Sequence, residues 1–215
     1  MCGSRFIYDS FPAVPPAGPG CAPGPPPPPL APTAFGATNP FASTGGWYVN
    51  SLTRANMQRT LSRAHDASAA EQSALLGMAD SPTAIWIDTA EKVRGVQTPG
   101  TLEWVLASVS DEAARQEPDT VPQLCVFVLY NLPHRDCSAK ASAGGLSGLR
   151  QYKEEYIDPF VEVLHRYRHV PAVVIVEPDS LGNLVTNGGG GAAAGGGGSC
   201  GEEVAAVYRD GVSYA

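Results

Sequence analysis

The sequence predicts an α/β protein built on a parallel sheet, and three observations carry that expectation. The run PQLCVFVLYN, residues 122–131, is almost continuously apolar, and so is AVVIVEPD, residues 172–179. Strands buried on both faces read this way, and they belong mostly to parallel sheets. Between the two runs, Leu149, Tyr152, Tyr156, Phe160, Leu164 and Tyr167 recur every three or four residues. That spacing is the core stripe of an amphipathic helix. Strand, helix and strand in this order form a βαβ unit, whose crossover is right-handed.

The other elements follow in chain order. Residues 1–38 read as a Pro/Gly-rich linker, either a polyproline spacer or plain low complexity, because 12 of the 20 prolines precede Phe41. Order is expected from about Asn39, so residues 39–215 make the globular part. A helix with a weak apolar stripe (Ala55, Leu61, Ala64, Ala74, Leu75) is expected over 51–78. TAIWID, residues 83–88, reads as a short buried strand and adds a third parallel member. A second helix is expected over 99–115, with Leu102, Val105, Leu106 and Val109 on one face. The long helix after residue 149 carries Arg166 and Arg168 near its C-terminal end, where the helix dipole favours cations, and Pro171 stops it. Residues 188–198 hold eight glycines and form a low-complexity insertion. A last helix starts in EEVAAVYRDGVSYA.

Composition limits the partners. The chain has 215 residues, 43% hydrophobic, and a formal net charge of −7. Such a balance argues against nucleic-acid or anionic-membrane binding, which needs a basic patch. It is silent on a neutral substrate. No apolar run is long enough to span a bilayer, and the N-terminus lacks the apolar core of a signal peptide. Of five cysteines, Cys125 falls inside a strand and reads as a buried, inert thiol.

The chemistry is expected at the carboxyl ends of the strands, where parallel α/β folds bind their ligands. Each predicted strand ends near an acid: Asp88, Asp136 and Asp179. Adjacent strands lie about 4.8 Å apart, so Asp136 and Asp179 would share a cleft if their strands are neighbours. Two close carboxylates do not ionise independently, which leaves one as a proton donor beside a charged partner. Glycoside cleavage uses that division of labour. Arg135 would hold Asp136 charged and so leave the proton on Asp179. A plainer reading makes these acids solvated loop residues or helix N-caps. Glu177 reads as a structural hydrogen-bond acceptor.

Two motifs then bear a resemblance. VLYNLPHRDCSAKASAG, residues 128–144, resembles the first signature of glycoside hydrolase family 6, the cellobiohydrolase and endoglucanase group. VVIVEPDSLG, residues 173–182, resembles the second. NPFA at Asn39, AIWIDT at Ala84 and NLVTN at Asn183 are similar to the family as well. The resemblance runs from about Asn39 to Ala215 and departs from the family at the Gly-rich insertion. It implies a distorted parallel β/α barrel, present here in part, with about three strands. It implies inverting hydrolysis of β-1,4-glucan with no cofactor, by a secreted protein that is monomeric at full length.

The roles it implies are specific. Asp179 would be the general acid, and Asp136 would raise its pKa and stabilise the transition state. Tyr130 would press on the sugar at the cleavage point, and Ser142 would lie on a loop that closes over the site. Trp86 would stack on a glucose ring and Asp88 would hydrogen-bond it; Tyr130 and Trp86 are otherwise ordinary core aromatics. Cys137 and Cys200 would pair, closing a loop worth on the order of 4 kcal/mol and implying an oxidising compartment. Asn131 and His134 stand where the family often has acidic or polar residues. The general base is not visible in the sequence. The 215 residues are therefore expected to be a fragment, inactive alone. Two other readings compete: a carbohydrate-binding remnant that keeps Trp86 and Asp88, and a magnesium-dependent phosphoryl-transfer site on Asp88, Asp136 and Asp179, which lacks a Gly-rich phosphate loop.

Overall fold

The computed structural model describes residues 44–96, 98–116, 120–137, 145–187 and 202–215. All of them belong to the compact unit Phe41–Ala215. The Pro-rich run and the Gly-rich insertion lie outside the described residues.

Three parallel strands form the sheet: β1 (Ile85–Ile87), β2 (Cys125–Leu129) and β3 (Ala172–Val176), in that spatial order. The register places Ile85, Phe127 and Val174 side by side, then Ile87, Leu129 and Val176. Side chains alternate along a strand, so these two rows share one face. They pack on the helices α3 (Ala90–Arg94), α4 (Leu102–Arg115) and α6 (Asp158–Arg166) through Val93, Leu102, Leu106, Phe160 and Val163. The row between them, Trp86, Val128 and Ile175, faces the other way. Its ends are open, with Trp86 45% and Ile175 41% exposed.

That exposure corrects one expectation. Only β2 is buried as the apolar runs imply. β3 has a partner on one side, among the described residues, and its side chains are exposed or half-buried. An unbroken apolar sequence therefore does not make this strand interior.

The helices depart from the expected pattern in two places. The helix expected over 51–78 is two: α1 (Ser51–Arg63) and α2 (Ala69–Ala79). Asn50 caps α1 by accepting from the Leu52 N–H at 3.0 Å. Ser68 caps α2 in a reciprocal box: its Oγ accepts from the Glu71 N–H at 3.3 Å, and Glu71 accepts from the Ser68 N–H at 2.8 Å. A Ser-x-x-Glu at 68–71 is a start signal, which ends the idea of one continuous helix.

The long helix after β2 is also interrupted. It runs as α5 (Leu149–Tyr152), then a π-helical turn over Lys153–Ile157, then α6. Pro159, in the first turn of α6, explains the break. Proline has no N–H, and its ring clashes with the carbonyl four residues back, so the backbone widens just before it. The apolar stripe survives: Tyr152, Tyr156 and Phe160 are buried, and Leu149, Leu164 and Tyr167 pack half-buried against the core. Two further helices, α7 (Ser180–Asn187) and α8 (Glu202–Tyr214), close the described chain. A segment before α1 adds to the sheet: the Tyr48 N–H donates to the Leu124 carbonyl at 2.9 Å, in parallel sense at the start of β2. Gly45 permits it, because a Cβ there would lie 2.1 Å from the Val121 carbonyl oxygen.

Helix α8 seats on the turn after β2 through Gly211. A Cβ on Gly211 would stand 2.3 Å from Leu132 Cδ2, and Leu132 is fully buried. Gly211→Ala is expected to destabilise the protein by about 1–3 kcal/mol, as overpacking does. Urea denaturation would show this as a lower midpoint with an unchanged slope.

Candidate active site

The three strands leave the sheet at the same end, and the acids gather there. Asp88 follows β1 directly. Its Oδ1 lies 2.5 Å from the Lys92 ammonium, one helical turn further on. Lys92 also donates to the Trp86 carbonyl at 3.1 Å. Trp86 stands edge-on to Tyr130, with ring centroids 5.5 Å apart and an interplanar angle of 83°. A half-exposed indole, a phenol and a carboxylate thus form one surface.

The turn after β2 carries the next set. His134 and Asp136 both have left-handed backbones, with φ of 60° and 52°. Such conformations are strained for non-glycine residues and persist where the surroundings over-determine them. Here the restraints are visible. The Arg135 guanidinium donates to the Tyr130 carbonyl and, at 2.9 Å, to the Asp88 carbonyl. It also lies over the Tyr130 ring, 4.9 Å from the centroid. From α8, the buried Tyr208 hydroxyl donates to the His134 carbonyl at 2.7 Å. Cys137 is disulfide-bonded; Cys200 lies outside the described residues, as does Ser142.

This turn presents Asp136 to Tyr130. The Tyr130 hydroxyl donates to Asp136 Oδ1 at 2.5 Å, and the Asn183 amide on α7 donates to the same oxygen at 3.3 Å. Asp179 is exposed and immediately precedes α7, accepting the Asn183 N–H at its carbonyl at 2.9 Å. It therefore has an N-cap position, as the plainer reading held. It is also part of the cluster: burial, the bond to Asp136, and the charges of Asp136 and Asp179 all raise the Tyr130 pKa. A phenol so shifted remains a proton donor to Asp136 at neutral pH. The described bonds of Arg135 serve the Tyr130 and Asp88 carbonyls and the Tyr130 ring face.

Glu177 is 2% exposed and accepts hydrogen bonds, as expected. Its Oε1 takes the Asn131 N–H at 2.9 Å and the Tyr152 hydroxyl at 3.0 Å. Oε2 is buried with no partner at regular geometry, although the Leu132 amide is near enough to favour the anion. Burial pushes the carboxyl up to about 7, against the opposing pull of the Asn131 and Leu132 amides, the Tyr152 hydroxyl and the Arg135 charge. One helical turn on, the Tyr156 hydroxyl accepts from the Tyr130 N–H at 3.0 Å and donates to the Ile87 carbonyl.

Five residues of this arrangement carry no role at the site in the sequence reading: Lys92, Asn183, Tyr152, Tyr156 and Tyr208. The two tyrosines of the helical stripe had a signal. Tyr rather than Phe or Leu in a core stripe demands a partner for its hydroxyl. Among the described residues, no group of three or more His, Cys, Asp or Glu side chains is placed to hold a metal ion. No helix among them is long and apolar enough to cross a membrane.

Comparison with known proteins places this geometry. Residues 42–215 match the model of the glycosyl hydrolases family 6, and the chain belongs to that family. Exoglucanase A of Cellulomonas fimi is 34% identical over 183 residues, covering 82% of this chain and 20% of that protein. The 1,4-beta-D-glucan cellobiohydrolase C of Emericella nidulans is 36% identical, covering 72% of this chain and 33% of that protein. The CcCel6A catalytic domain, solved as a complex with p-nitrophenyl beta-D-cellotrioside, superposes with a TM-score of 0.66 at 30% identity, over 82% of this chain and 44% of that one. The chain thus spans a fifth to a third of these curated relatives and under half of the solved domain. The partial α/β barrel expected from the sequence agrees with this likeness.

The raised pKa of Glu177 has a signed consequence. Between about 4.5 and about 7 the folded protein binds this proton more tightly than the unfolded chain does. The contribution of Glu177 to stability is therefore greatest below pH 4.5 and falls, by on the order of 3 kcal/mol, as pH rises to about 7. Melting temperatures across pH 4–8 should show a downward slope that Glu177→Gln lacks.

Proposed function

We propose that this chain forms the acid side of an inverting β-1,4-glucan hydrolase site. The observation that carries the reading is the Tyr130 phenol: it bonds Asp136 at 2.5 Å and feels the charge of Asp179 from the neighbouring strand. A sugar ring resting on Trp86 would meet a flat aromatic face and, at its edge, the Asp88 carboxylate. Asp179, exposed and at the mouth of the cluster, gives its proton to the leaving glycosidic oxygen. Asp136, held by Tyr130 and Asn183, stabilises the positive charge that grows on the ring. Tyr130 presses the sugar toward a distorted shape.

Water attacks the anomeric carbon from the opposite face in such a reaction, and a base takes its proton. No residue here is assigned that step. Ser142 belongs to the loop expected to order the water, and a Cys137–Cys200 bridge is the pairing we assign to the bonded Cys137. The names of the relatives support glucan as substrate: an exoglucanase, a cellobiohydrolase and a domain carrying a cellotrioside. Secretion and a monomeric state belong to the same proposal.

A soluble β-1,4-glucan assayed for new reducing ends, with EDTA present, tests the reading. Cleavage that survives chelation, falls at least about 100-fold in Asp179→Asn and leaves cellotetraose affinity unchanged is the result expected of the complete site. Binding without cleavage in the wild type makes the chain a sugar-binding unit; cleavage that needs a metal overturns the proposal. Tyr130→Phe removes the bond to Asp136 and should lower turnover, or affinity where there is none, by about 10-fold.

A further inference from the structure

The most enclosed carboxyl among the described residues has no part in the proton transfer above, yet it sits two residues before Asp179. Glu177 has a left-handed backbone, φ 44°. Its N–H donates to the Leu129 carbonyl at 2.8 Å, which ends the β2–β3 ladder. Its carbonyl accepts from the Ser180 N–H at 3.1 Å and the Ser180 hydroxyl at 2.7 Å, at the start of α7. Its side chain reaches back to the Asn131 N–H and across to Tyr152 on α5. One residue therefore joins the ends of two strands and two helices.

Each of these ties bears on the acids. Asn131 follows Tyr130 and is itself 2% exposed, so its N–H has no access to water. Losing the acceptor leaves a buried donor unpaired, which costs more than the bond itself contributes. The strained backbone at 177 is what points residues 178 and 179 away from the strand. Strain of this kind holds only where side-chain bonds over-determine it.

We propose that Glu177 is a positioning residue, locking the turn that bears Asp179 against the turn that bears Tyr130 and Asp136. The lock needs an acceptor at Oε1 and the length of a Glu side chain; it does not need a charge. Its use in placing the proton donor rests on the glucan-hydrolase reading, but the lock can be measured with no sugar present. The groups around it are Tyr152 and Tyr156 from the helix, Arg135 from the turn and, by charge, Tyr208 from α8.

Amide hydrogen exchange in the whole chain tests the lock at two reporters, Asn131 and Ser180, with Val128 in the middle of the sheet as reference. The Ser180 N–H bonds the backbone of residue 177 rather than its side chain, so it quickens only if the turn itself comes loose. In Glu177→Ala and Glu177→Asp both reporters should exchange about 10-fold faster while Val128 holds. Glu177→Gln, which keeps the acceptor and the length, should restore both to within about 2-fold of wild type. Where the alanine variant fails to fold, the Asp and Gln variants give the same comparison. Unchanged reporters in the Asp and Ala variants, or no rescue by Gln, would overturn the proposal. Cellotetraose titrated calorimetrically into the wild type judges the glucan reading separately: absence of binding would remove the sugar and leave the exchange result to decide the lock.

Discussion

Strand β2 is paired on both sides in parallel, with Ile85–Ile87 along one edge and Ala172–Val176 along the other. All else at the functional end follows from that constraint. Parallel strands share a direction, so three chain segments far apart in sequence emerge at one end of the sheet, one strand spacing from each other. Asp88, the Tyr130–Asp136 turn and the Glu177–Asp179 turn are neighbours for this reason alone. Burial of Cys125, Phe127 and Leu129 beneath α4 and α6 makes the register costly to shift, because a one-residue slip would turn the whole apolar row outward.

Above the sheet, order is imposed by hydroxyl groups rather than by ion pairs. Tyr152 and Tyr156 lie one turn apart on a helix whose pitch changes between them. One serves Glu177; the other joins the end of β1 to the end of β2. Tyr208 performs the same office from α8 at His134. Burial raises the pKa of all three phenols, so they act as donors around neutral pH. The ion pairs among the described residues lie mostly at the surface, such as Arg54 with Asp80 at 3.0 Å, where such contacts add little.

Much of this was legible in the amino-acid pattern, and the failures have physical causes. The three strands could be read because apolar runs and a helical stripe have different periods; their order in the sheet could not. The position of β3 at an edge could not, since its Ala-Val-Val-Ile-Val run looks the same whether or not another strand lies beside it. The break between α1 and α2 was written in Ser68 and Glu71, and the π-helical turn in Pro159; each is a local signal that an apolar stripe conceals. At the site, Asp88, Asp136 and Asp179 could be named because strand ends concentrate chemistry. The reach of Arg135 to backbone carbonyls could not, as it depends on a left-handed turn that no side-chain pattern announces. Asn183 was beyond reach for a similar reason, its contact with Asp136 bridging 47 positions.

The row formed by Trp86, Val128 and Ile175 has its middle covered and its ends open, on the side of the sheet away from α3, α4 and α6. Among the described residues, this is the less covered face of the sheet. Its helix-covered side is finished, while the other offers an indole and a branched aliphatic chain to anything greasy that diffuses past. Environment-sensitive dyes such as anilinonaphthalene sulfonate light up on surfaces of this kind, a response ordinarily taken as a mark of incomplete folding. In this molecule that glow would come from the native state, and it would dim when the sheet acquires a covering layer.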